Sequence, residues 1–147
     1  MYAPPRGPNR RQSVQSYASV GLETEVLGAS PTKLITLLFN GARAAIMKAR
    51  MYMEQGNVSE KGKAISKAMD IVESGLKAAI NKEAGGEVAQ SLLTAYDLIL
   101  HHLLTANLRN DVEKLTLADQ MLAEIADAWR QVSEQEDAGK QLDNTKA

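Results

Sequence analysis

Residues 87–107 read EVAQSLLTAYDLILHHLLTAN, and this stretch decides the fold. Ala89, Leu92, Tyr96, Ile99, Leu103 and Ala106 follow one another in alternating steps of three and four. That spacing is one face of an α-helix and fits no strand, where apolar residues would alternate. The stretch is preceded by Gly85-Gly86, a helix stop that the spacing assigns to the end of the helix before it, and it runs on to Asn110.

The same rhythm recurs on both sides. Upstream, Ser30 is placed to cap and Pro31 to occupy the first helical position, where its missing N–H costs nothing. Ile35, Leu38, Ala42, Ala45, Ala49 and Tyr52 then form a stripe that ends at Gly56-Asn57. Ser59 is the expected cap of a second helix, with the stripe Ile65, Met69, Val72, Leu76 and Ala79. Downstream, Asn110 with Glu113 three residues on resembles a capping box. The stripe Leu115, Ala118, Leu122, Ile125, Trp129 and Val132 follows. Four amphipathic helices joined by short links predict an all-α, antiparallel, up-down-up-down four-helix bundle. Residues 1–16, with Pro4, Pro5, Pro8, Arg6, Arg10 and Arg11, read as a flexible arm. Residues 17–133 hold the bundle, and 134–147 read as a flexible polar tail.

Composition narrows the class. The 147 residues suit one domain, and a formal net charge of -1 gives no reason to expect nucleic acid as the partner. The chain has no cysteine, so disulfides and thiolate metal sites are excluded. No apolar run approaches the ~18 residues of a membrane span, and Met1 to Arg6 has no apolar core of a secretory signal. A cytosolic protein without membrane insertion is the expectation.

Catalytic constellations are thin. Neither His101 nor His102 has a Glu three residues before it, as a di-iron bundle requires. Asp97 and His101 lie one turn apart, which as a lone pair is better read as a helix face than as a metal site. No nucleophile elbow and no phosphate-binding loop occurs. No cofactor, metal or catalytic residue is assigned, and an enzyme is not expected.

The surplus lies elsewhere. The third helix carries Leu93, Leu100 and Leu104 outside its core stripe, and the first carries Leu37, Ala44, Met47 and Met51. These positions fit two readings equally: a wide helix central in the core, or a groove that receives an amphipathic helix from a partner. Methionines suit a groove that must adapt. A second copy's helix fits such a groove as well, which would make a homodimer. A general helical adaptor or regulator that binds a folded partner remains a further reading, as does a bundle enzyme if metal were found in the purified protein.

In order along the chain, Val14-Gln15-Ser16-Tyr17, Ala29-Ser30-Pro31, Leu38-Phe39-Asn40-Gly41-Ala42, Gly85-Gly86-Glu87-Val88-Ala89, Tyr96-Asp97, Leu103 to Asp111 and Ala128-Trp129 resemble the FliS family of flagellar export chaperones. The resemblance covers about Val14 to Val132. Asn40, Ser91 and Leu98 depart from it. It implies a cytosolic chaperone that binds the disordered C-terminal segment of flagellin, prevents premature polymerisation and aids delivery to the export gate. Val14 and Tyr17 would then form a lid or docking element. Leu37, Met47, Met51, Leu93, Tyr96, Leu100 and Leu104 would line the groove, with Asn107, Asn110 and Asp111 meeting cargo backbone at the corner between the third and fourth helices. For Tyr96 an ordinary core position fits as well, and for the corner residues capping does. An export-gate component is a second implied partner, and a flagellar regulator such as the anti-sigma factor a third.

Overall fold

The computed structural model describes residues 30–80 and 82–146. The expected arm, with Val14 and Tyr17, lies outside them. Among the described residues every regular element is helical: α1 (Pro31–Glu54), α2 (Val58–Asp70, continued by a π-helical segment Ile71–Lys77), α3 (Lys82–Arg109) and α4 (Val112–Lys146). The chain divides into two units between Leu37 and Leu38.

Each helix begins and ends for a local reason. The Ser30 hydroxyl accepts the Lys33 N–H at 3.2 Å, the cap expected at the start of α1. At its end Gly56 takes a φ of +72° and the Asn57 N–H reaches the Tyr52 carbonyl at 2.9 Å, a Schellman closure. Asn57 then caps α2 by accepting the Glu60 N–H at 3.2 Å. The cap is therefore Asn57 and not Ser59, because one residue closes one helix and opens the next.

The second expected boundary also moves. The helical path of α2 ends at Lys77 and not at Gly85-Gly86, which leaves Ala79 exposed and off the stripe. The glycine pair breaks the helix inside Lys82–Arg109 instead, where Gly86 adopts φ 54° and ψ -126°. A Cβ on Gly85 would stand 2.6 Å from that of Ala89, so a side chain there has no room. The corner between α3 and α4 is built from Asn110 at φ 53° and the Asp111 N–H bonded to the Ala106 carbonyl at 3.1 Å. Asp111 Oδ1 accepts the Glu113 N–H at 3.0 Å, so Asp111 caps α4 in place of Asn110, which is occupied in the left-handed turn.

From Leu38 onward the helices form an antiparallel bundle. Arg43 meets Asp119 while Arg50, two turns later, meets Thr116, so α1 and α4 run in opposite senses. Lys61 at the start of α2 meets the end of α3, and Lys77 at the end of α2 meets Asp97 further back along α3. α1 and α2 approach closely where a Cβ on Gly75 would lie 3.1 Å from Leu38. The core holds Phe39, Ala42, Ala45, Ile46 and Ala49 of α1, and Ile65, Ala68, Val72 and Leu76 of the α2 path. α3 contributes Ala89, Tyr96, Ile99, Leu103 and Ala106, and α4 contributes Leu115, Ala118 and Leu122. Ile125 and Trp129 are half-buried, and Val132 is exposed. α4 is helical through residues 134–146 as well.

Candidate functional site

The third helix shows how the surplus apolar residues are arranged. At about 100° per residue, Leu93, Leu100 and Leu104 fall within about 40° of one another. Asn107 and Asp97 bracket them on the two sides by the same arithmetic. Both brackets face the α2 path: Asn107 Oδ1 lies 3.8 Å from where a Cβ on Gly62 would stand, and Asp97 accepts Lys77 Nζ at 2.8 Å. The leucine stripe thus follows the α2–α3 seam. Leu93 and Leu100 are half-buried in it and Leu104 is 45% exposed. Beneath them Tyr96 is 4% exposed, and burial pushes its phenol up to about 12.

Met47 belongs to a different seam. It is 66% exposed and lines a groove of about 380 Å³ between α1 and α4. Ala44, Ile46 and Leu115 complete its apolar walls. Its polar rim is Asn40, Arg43, Arg50, Thr116 and Asp119. Arg43 grips Asp119 with two bonds, Nε to Oδ1 at 2.9 Å and Nη2 to Oδ2 at 3.3 Å, which raises the guanidinium pKa. Arg50 Nη2 donates to the neutral Thr116 hydroxyl at 2.8 Å. Met51, one turn beyond Met47, is 50% exposed. Leu37 is half-buried.

The corner residues have structural employment. Asn110 Oδ1 accepts Lys61 Nζ at 3.2 Å, in addition to the bond from that ammonium to the Asn107 carbonyl. Lys61 is only 4% exposed, so its charge is held at the C-terminal end of α3, where a cation is favoured by the helix dipole. Asp111 is engaged as the α4 cap.

The rim was not foreseen from the sequence. Arg43 and Arg50 are seven apart on α1, and Thr116 and Asp119 are three apart on α4, so each pair shares a helix face. That spacing was the available signal. It says nothing of which helix lies opposite, and the pairing became visible only with α1 and α4 side by side. Among the described residues no cluster of three or more His, Asp or Glu side chains is arranged to hold a metal. No helix among them is long and apolar enough to cross a membrane.

A helical bundle that leaves Met47 in water along one seam and a leucine stripe along another has the surface of a protein-binding module. The chain belongs to the FliS family: the family described as Flagellar protein FliS matches residues 13–136. It is 46% identical over 120 residues to the flagellar secretion chaperone FliS of Salmonella typhimurium, covering 82% of this chain and 89% of that one. It is 38% identical over 120 residues to the flagellar secretion chaperone FliS of Escherichia coli K12, covering 82% and 88%. To the one of Bacillus subtilis it is 26% identical over 124 residues, covering 84% and 91%. The protein is a flagellar export chaperone and not an enzyme.

Proposed function

We propose that this chaperone works in the cytosol by binding the disordered C-terminal segment of flagellin on its apolar surfaces. Binding folds the segment into helices, keeps it from polymerising early and presents it to the export gate. The observation that carries this reading is the exposure of Met47 and Met51, 66% and 50%, beside an apolar groove. Large apolar side chains left in water along a seam are what a partner helix covers. A segment that orders only on binding covers a wide area at moderate affinity, since ordering it costs part of the gain. A cargo that must be released again needs that balance. In this reading residues 17–133 are the chaperone domain and Val14 and Tyr17 act as its lid. Residues 1–16 and 134–147 flank the domain as arm and tail. Leu93, Leu100 and Leu104, with Tyr96 behind them, form a second cargo face, and Asn107, Asn110 and Asp111 mark its end.

The test is a calorimetric titration of a flagellin C-terminal peptide from the same cell, with peptide helicity followed by circular dichroism. Saturable binding with a gain of helix and a negative heat-capacity change is expected. Absence of binding at tens of micromolar (about 10–50 µM, an affinity near -7 kcal/mol or weaker) sinks the reading. Binding of an intact folded flagellar partner in its place would make the protein an adaptor.

A further inference from the structure

Resting on that reading, we propose that the α1–α4 groove takes one specific kind of cargo segment: an amphipathic helix of about three turns with a carboxylate that pairs with Arg50. The length follows from the groove. Its α1 wall runs from Asn40 to Arg50, about 15 Å at 1.5 Å per residue, which is the length of roughly ten helical residues. The apolar face follows from Ala44, Ile46, Met47 and Leu115, which offer a partner nothing to hydrogen-bond.

The carboxylate follows from the charges on the rim. Arg43 is neutralised by two bonds to Asp119, whereas Arg50 has a neutral hydroxyl as its partner. Among the residues that line the groove, Arg50 is therefore the charge that no lining carboxylate offsets. Charge complementarity then selects among occupants. The chain's own N-terminal arm brings Arg6, Arg10 and Arg11 and no acidic residue before Glu23, so it has the wrong sign. A second copy of this chain is told apart from cargo by the oligomeric state. A cargo helix with an acidic residue at the Arg50 end supplies the charge that the lining lacks.

The experiment compares the intact protein with Arg50→Gln and Met47→Gln in the calorimetric titration of the flagellin C-terminal peptide. It is run at about 0.05 M and about 0.5 M salt, where charges beyond a few ångströms are screened. Arg50→Gln weakens binding about fivefold at low salt, the size of one exposed ion pair, and matches the intact protein at high salt. Met47→Gln weakens binding roughly tenfold at both salts through lost apolar burial. Both variants are compared with the intact protein after circular dichroism has confirmed that they fold. Peptide binding that is indifferent to Arg50→Gln at low salt overturns the inference and leaves the proposed function standing. Absence of binding by the intact protein overturns both. Self-association of the intact protein that Met47→Gln abolishes, seen by sedimentation, overturns the inference by making a second copy the occupant.

Discussion

His102 sits half-buried on α3 with its Nδ1 buried and without a hydrogen-bond partner. Burial holds its pKa below the ordinary histidine value, and the charges of Lys114 and His101 add to the effect. The cost falls on the protonated form, since a charged ring there would be poorly solvated and close to other cations. In the unfolded chain the same imidazole takes up a proton from about pH 6.5 downward. The unfolded state therefore binds more protons as pH falls, and stability is drained from the folded side. The contribution is fully present above about pH 6.5 and is lost as pH falls through the depressed folded value. His102→Leu, which keeps the ring's apolar contacts in part and cannot titrate, is expected to lose less stability than the unaltered protein between pH 7.5 and pH 5.5. Urea denaturation at the two pH values measures this, and equal losses would show that His102 does not carry the acid sensitivity. Tyr96 illustrates the same cause with the opposite sign. Burial raises its phenol to about 12 because there, too, the charged form is the one that suffers.

At the scale of elements the corner of α2, α3 and α4 depends on one ammonium. Lys61 Nζ serves the Asn107 carbonyl, one of the C-terminal acceptors that a helix cannot satisfy internally, and the Asn110 side chain in the left-handed turn. Lys61→Met retains most of the apolar stem and removes the donor. Two buried-side acceptors then lose their partner, which is expected to destabilise the bundle by about 2 kcal/mol in chemical denaturation. A change under about 0.5 kcal/mol would mean that water replaces the ammonium at no loss. This corner also shows what the sequence made legible. The stripes of all four helices could be read from their spacing except at their ends, where Ala79 and Val132 are exposed, and so could the stops at Gly56 and near Asn110, because periodicity and turn chemistry are local. Three features were not local in that way. Asn57 rather than Ser59, and Asp111 rather than Asn110, do the capping because closure of the preceding helix fixes where the next can begin. The π-helical segment Ile71–Lys77 has no compositional signature, and it moves the helix end ahead of Gly85-Gly86. Lys61 reads as a solvated surface lysine until α3 is placed against it.

For the whole molecule, the arrangement of apolar surface sets how cargo energy is distributed. The sequence singled out Met47, Met51, Leu93, Leu100 and Leu104 as apolar positions outside the core stripes, since a bundle helix needs about three in seven, and left core and groove equally open for them. It did not reveal that they occupy different seams, because helical spacing gives a residue's angle on its own helix and not the identity of its neighbour. Met47 lines the α1–α4 groove, while the leucines follow the α2–α3 seam bounded by the Lys61 and Lys77 contacts. A single short helix laid in one seam leaves the other in water. A segment long enough to cover both would engage them as separate footholds joined by chain, and residues that share no partner contribute additively. Met47→Gln and Leu104→Gln should therefore each weaken binding of the flagellin C-terminal peptide, and the double variant should weaken it by the sum within about 0.5 kcal/mol. Calorimetry on the four proteins closes the cycle. A coupling well above that value would place both side chains against the same part of the cargo. A silent Leu104→Gln would confine the cargo to the α1–α4 groove and leave the leucine stripe to another partner.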